Sequence, residues 1–273
     1  LAIARRMLPF APAAPLVKGV DPRTEHAAGD GVDEGDSGSP AGGSNGRVLI
    51  YERPDRVRPS GALVWIHGGG LVMGTPEQGK GLCSRLAVEL GIVVVSVDYR
   101  LAPEHPFPAG LDDCYTALEW VHRNAGSLGI DTSRVAVGGD SAGGGLAASL
   151  AQMAHDSGLA VCFQRLQYPM LDDRTALRSG LDGLVWTMRS NRWAWRAYLG
   201  HPLTAPEDRA YASPSRRTDL GGLPPAWIGV GDIDLFHDEC LDYATRLEAA
   251  GVPCELHVEP GMYHGAETLL PKA

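Results

Sequence analysis

The sequence predicts an α/β fold with a mostly parallel central sheet of about eight strands and a partly helical cap. Three observations carry this expectation. From residue 47 onward, short apolar, β-branched runs alternate with segments of helical length, the pattern of repeated βαβ units. Glycines punctuate the helix ends, with Gly91, Gly126 and Gly251 standing just past final turns. One long stretch, 172–223, breaks the alternation and is rich in aromatic residues.

Taken in order, the opening Leu1 to Phe10 places Arg5 and Arg6 inside an apolar run, unlike a secretory leader. There is no initiator Met, so an upstream segment stays open. Residues 21–46 carry Asp21, Glu25, Asp30, Asp33, Glu34 and Asp36 against Arg23, among many Gly and Ser. Such a stretch buries too little apolar surface to fold alone and reads as a surface excursion holding a loose hairpin. Strands are expected at 47–52, 62–66, 92–97, 134–137, 161–167, 226–230 and 255–258. Helices are expected at 79–90, 109–124, 142–156 and 238–250. The 172–223 stretch, with Trp186, Trp193, Trp195, Tyr198 and Tyr211, has helical character around 191–199. Its place between two strands makes it a cap, to which residues 1–46 also contribute. Residues 1–273 are expected to form a single domain.

Composition narrows the function classes. A net charge of −9 argues against nucleic acid, because phosphate backbones need a basic face. No apolar run reaches the roughly 20 residues of a membrane span. The five cysteines form no CxxC pair and the nine histidines no HExxH spacing. Free thiols in a reducing, cytoplasmic setting are therefore expected, with no metal and no cofactor.

The strongest chemical signal is Gly139-Asp140-Ser141-Ala142-Gly143, entered from a strand and left by an Ala-rich helix. That context suits a strained turn that exposes a nucleophilic serine; the competing reading makes Ser141 a helix N-cap. A second signal, His67-Gly68-Gly69-Gly70, directly follows the strand at 62–66. Glycines there can turn amides inward toward a developing oxyanion. Gly69, Gly70 and Ala142 are the expected donors, and His67 is read as structural. A phosphate cradle would need a following Gly-Lys-Ser/Thr, which is missing.

The base is expected late in the chain, on the glycine-bounded loop Gly261-Met262-Tyr263-His264-Gly265. His257 lies within a strand, while His122, His155 and His201 occupy helix or cap positions. The acid is expected between serine and histidine. Asp232, Asp234, Asp238 and Glu239 all follow the strand at 226–230. Asp234 is preferred and Asp232 held in reserve, since Asp238 and Glu239 suit a first helical turn in any case.

These motifs in this order resemble the bacterial hormone-sensitive-lipase-like esterases of the α/β-hydrolase superfamily. The resemblance spans about residues 47–265. Besides the motifs above it includes Asp98-Tyr99-Arg100-Leu101-Ala102-Pro103-Glu104, Tyr168-Pro169 and the group Asp234, Asp238, Glu239. It implies an α/β-hydrolase fold and a carboxylesterase acting on short- to medium-chain acyl esters. Ser141 would be the nucleophile, His264 the base and Asp234 the acid, with Gly69, Gly70 and Ala142 at the oxyanion. It further implies a structural role for the Tyr99, Arg100 and Glu104 stretch, and a homodimer as the candidate assembly. Trp186 and Trp193 are candidates for lining an acyl or alcohol pocket. Amide or lactone hydrolysis by the same residues is the alternative. A non-catalytic ligand-binding protein on this fold would be expected to have lost one of the three. The chain departs from the family in its acidic N-terminal excursion, in ending at Ala273, and in Ala266, where an aromatic residue is common.

Overall fold

The computed structural model describes residues 15–27, 46–180 and 182–266. Among them the β-branched runs pair into one eight-stranded sheet. Its strands are β1 (Arg23–His26), β2 (Arg47–Tyr51), β3 (Ser60–Ile66), β4 (Val93–Val97), β5 (Ile130–Asp140), β6 (Phe163–Gln167), β7 (Ala226–Gly231) and β8 (Cys254–Glu259). The spatial order is β1-β2-β4-β3-β5-β6-β7-β8. Pairings β1–β2 and β2–β4 are antiparallel, and every pairing from β4 through β8 is parallel. The helices are α1 (Lys80–Leu90), α2 (Ala109–Arg123), α3 (Ala125–Leu128), α4 (Ala142–Ser157), α5 (Met188–Leu199) and α6 (His237–Ala249).

The valine-rich runs form the centre because a parallel sheet is covered on both faces. Val93, Val94 and Val95 are completely buried. On one face Val64, Ile66 and Val137 join Leu118, Leu146 and Leu150 of α2 and α4 in the main core. On the other, Leu63, Trp65 and Val94 pack with Cys83 and Ala87 of α1. Each fully buried Val or Leu contributes about 1.5–3 kcal/mol. The small residues of α4, among them Gly143, Ala147 and Ala151, let that helix lie close against the sheet.

Three elements differ from the sequence expectation, and one of them, the short helix α3, is additional to it. β1 lies in the acidic excursion, where its four exposed residues show no apolar alternation. Its ladder to β2 and the Arg23–Glu52 ion pair hold it; the 28–45 part of the excursion lies outside the described residues. β5 runs from Ile130 to Asp140, past the expected 134–137 at both ends, because Ile130 pairs with Ser60 and Gly138 and Gly139 pair with Trp65 and Ile66 of β3.

Sheet register decides what meets at the carboxyl ends. Ile66 is opposite Gly139, which sets the loop after β3 beside the loop after β5. Gly231 is opposite Glu259, which sets the loop after β7 beside the loop after β8. The 172–223 stretch carries α5, started by the Thr187 hydroxyl accepting from the Ser190 amide at 3.2 Å. Its buried face presents Asn191, Ala194, Trp195 and Tyr198. Phe107 donates its amide to Tyr198 at 2.7 Å, joining α5 to the loop before α2. No helix among the described residues is long and apolar enough to cross a membrane.

Candidate active site

Ser141 sits between β5 and α4 with φ 55° and ψ −119°, a strained conformation costing about 1–3 kcal/mol. Its neighbours hold it there. The Ser141 amide donates to Gln167 at 2.9 Å, and its carbonyl accepts from Met170 at 2.9 Å and Gly145 at 3.0 Å. A Cβ on Gly143 would lie 2.1 Å from the Ile66 carbonyl oxygen, so glycine is required for the close approach of α4 to β3.

The Oγ of Ser141 lies 2.8 Å from Nε2 of His264. On the other side of the ring, Nδ1 lies 2.9 Å from Oδ2 of Asp234. The Asp234 side chain is fully buried and that of His264 nearly so. The second Asp234 oxygen accepts the Phe236 amide at 2.9 Å, which fixes the carboxylate at the start of α6. Such a chain can carry a proton from serine to imidazole while the carboxylate fixes the tautomer and stabilises the cation that forms.

The loop after β3 lies against this elbow, where a Cβ on Gly68 would stand 3.3 Å from Cβ of Ser141. Gly69 and Gly70 both have positive φ, 121° and 63°. Among the described residues, no backbone carbonyl accepts from the amides of Gly69, Gly70 or Ala142. Amides left unpaired by the backbone are the kind of donor that a developing oxyanion needs. His67 is buried, stacks on Tyr99 at 4.3 Å and contacts the Gly68 carbonyl through Nδ1 at 2.8 Å. Burial pushes its pKa down, which keeps the ring neutral and structural. Tyr99 donates its hydroxyl to the His67 carbonyl, while Arg100 pairs with Asp113.

The other candidates fall elsewhere. Asp232 accepts the Gly261 amide at 2.7 Å and so braces the loop that carries His264. Asp238 is exposed beside Arg178. His257 is exposed beside Glu259, and His201 pairs with Glu207. Trp186 lies over the glycine loop: a Cβ on Gly70 would fall 2.1 Å from its ring. Trp193 is 42% exposed on α5, whereas Trp195 on the same helix is buried.

Residues 63–268 match the family described as the α/β hydrolase fold. The chain belongs to this family. Within it, this α/β hydrolase falls among the hormone-sensitive-lipase-like esterases. It is 40% identical to esterase LipI of Mycobacterium tuberculosis over 207 residues, covering 74% of this chain and 64% of LipI. It is 41% identical to the carboxylesterase NlhH of the same organism over 218 residues, covering 74% of this chain and 65% of NlhH. The chain thus spans just under two thirds of these relatives. A solved bacterial heroin esterase superposes with a TM-score of 0.88 at 39% identity, covering 100% of this chain and 84% of the other.

In this α/β hydrolase the fold adds residues that sequence reasoning left without a role. Tyr168 and Phe236 meet the His264 ring edge-on, at 4.7 and 5.0 Å, and restrict its plane from two sides. Phe236 carried no signal of its own, although its position two residues past Asp234 could have drawn notice. Glu239 is buried and accepts amides of Leu171 and Asp172, so it is a structural tie.

Proposed function

We propose that this α/β hydrolase is a carboxylesterase that cleaves short- to medium-chain acyl esters through a covalent acyl-enzyme. The observation that carries the reading is the unbroken contact chain from Ser141 Oγ through His264 to Asp234. Ser141 attacks the ester carbonyl as His264 Nε2 takes its proton. The oxyanion is received by the amides of Gly69, Gly70 and Ala142. His264 then gives the proton to the departing alcohol, and in the second step it deprotonates the water that releases the acid. Asp234 holds the imidazole in register throughout.

In the same reading the 172–223 stretch caps the strand ends within a single domain, supported by Trp186 lying over Gly70. The contributions assigned to residues 1–14 and 28–45 fall outside the described residues. Trp186 is the better-placed of the two tryptophan candidates for a substrate wall, with Trp193 at the periphery. A cytoplasmic setting is supported by the five unbridged cysteines. A homodimer is supported by β8, an edge of the sheet among the described residues, with Leu256 exposed.

The test is a panel of p-nitrophenyl esters from acetate to palmitate with the wild type and Ser141→Ala. Turnover of the short members that vanishes in the variant supports the reading. Undiminished turnover in the variant, or a preference for palmitate, overturns it.

A further inference from the structure

The segment 182–188 touches both of the loops that flank the nucleophile. A Cβ on Gly183 would lie 3.1 Å from Cβ of Leu235, the residue after Asp234. Three residues on, the outer ring of Trp186 occupies the place of a Cβ on Gly70, with Cη2 2.1 Å and Cζ2 2.7 Å from that point. Gly70 follows β3 and Leu235 follows β7, with β5 and β6 between them in the sheet. The segment therefore bridges the carboxyl ends of the strands across the Ser141 elbow.

This bridge is held under strain. Trp186 donates its amide to the Leu184 carbonyl at 2.7 Å, closing a three-residue turn centred on Val185. Val185 has φ 66°, the rare positive form of the γ-turn and an outlier for a β-branched residue. Burial of its own side chain does not impose this, because Val185 is 60% exposed. Such conformations persist only where their surroundings over-determine them. Asp182 Oδ1 accepts the amides of Gly183 and Met188, both at 3.0 Å, and so pins the two ends of the turn. Asn191, completely buried, accepts the Trp186 indole N–H on Oδ1 at 3.4 Å. Together these contacts fix the place of one ring.

The ring rests on a residue that cannot hold itself. Without a Cβ, glycine turns readily between backbone conformations. An oxyanion donor, by contrast, works only if it is oriented before the reaction. We propose that Val185 and Trp186 are positioning residues: the strained turn seats the indole on Gly70, and the indole keeps the Gly70 amide in its donor orientation. The inference rests on the esterase reading and deepens it, since the ring then acts on the donor itself, beyond any contact with substrate.

The test uses Val185→Pro, Trp186→Ala and the two combined, on p-nitrophenyl acetate and p-nitrophenyl butanoate. Proline holds φ near about −65° and so breaks the turn. The position is exposed, and among the described residues no carbonyl accepts the Val185 amide, so proline removes neither packing nor a backbone hydrogen bond. Each single variant is expected to lower kcat by about tenfold on both esters, less than loss of a donor outright. KM should change little, the pattern of an interaction made only in the transition state. Affinity for a trifluoromethyl ketone, whose adduct with serine carries the same oxyanion, should fall by the same factor. The combined variant should be no slower than Trp186→Ala alone, because both changes act through one ring. Replacing Trp186 by 2-naphthylalanine keeps two fused rings and should restore most of the loss. Unchanged kcat in either single variant, losses that multiply in the combined one, or a loss carried by KM alone overturns the inference and leaves the esterase reading standing. No turnover of either ester by the wild type overturns both.

Discussion

The carboxylate of Glu239 accepts the amide of Leu171 at 2.6 Å, tying the first turn of α6 to the chain that leaves β6. It also accepts the Asp172 amide at 3.3 Å and the Thr175 hydroxyl. Burial pushes its pKa up to about 8, although these three donors and the helix N-terminus pull the other way. The folded chain therefore holds this proton more tightly than the unfolded chain, whose glutamate ionises near 4.5. The stability linked to this proton is complete below about pH 4.5 and is lost as pH rises toward about 8. Glu239→Gln is expected to flatten the decline of Tm across that window, as measured by calorimetry at successive pH values. A variant whose Tm falls with pH as steeply as the wild type would contradict the assignment.

Asp234 and Asp232 are two residues apart and have separate partners, His264 and the Gly261 amide. Asp234→Asn is expected to lower kcat by about 10³–10⁴-fold through the wrong imidazole tautomer. Asp232→Asn keeps an acceptor for Gly261, so its kcat should fall by less than about tenfold. Steady-state kinetics of the two variants on a short ester decides between them, and a larger loss at Asp232 would reverse the roles.

Strain at Ser141 makes stability and activity oppose each other. Its φ of 55° disfavours a side chain, so Ser141→Gly should relieve about 1 kcal/mol or more. Calorimetry is expected to give a Tm higher by about 2–4 °C. Esterase turnover should disappear in the same protein.

Gly70 combines a positive φ of 63° with the Trp186 ring where its Cβ would be. Gly70→Ala must displace the ring or the loop and so move an oxyanion donor. A loss of about 10²-fold in kcat is expected, comparable with removing one such donor. Gly70→Ala combined with Trp186→Ala relieves the clash and should recover part of that loss. No recovery would mean that backbone strain alone is responsible.

Much of the fold was legible because burial on both faces of a parallel sheet leaves near-continuous apolar runs in the chain. The runs around β3, β4 and β7 were readable to within two residues for that reason. β1 was missed because an exposed edge strand has no such pattern; its partner β2 and Arg23–Glu52 hold it in place. Within the site, Ser141 and His264 were legible because glycines mark the strained turn after β5 and bound the loop after β8. Phe236 and Tyr168 were not, since ring-on-ring contact with His264 leaves no spacing to read.

The sequence by itself determined which residues could carry the chemistry, the order in which they occur and the sheet that would hold them. Those properties follow from local backbone demands and from apolar periodicity, both written along the chain. Only the tertiary structure decided that Asp234 meets His264 at hydrogen-bond distance, that Phe236 and Tyr168 flank the His264 ring, and that Trp186 covers Gly70. Those are meetings between segments far apart in the chain, settled by strand register and by the packing of an aperiodic stretch.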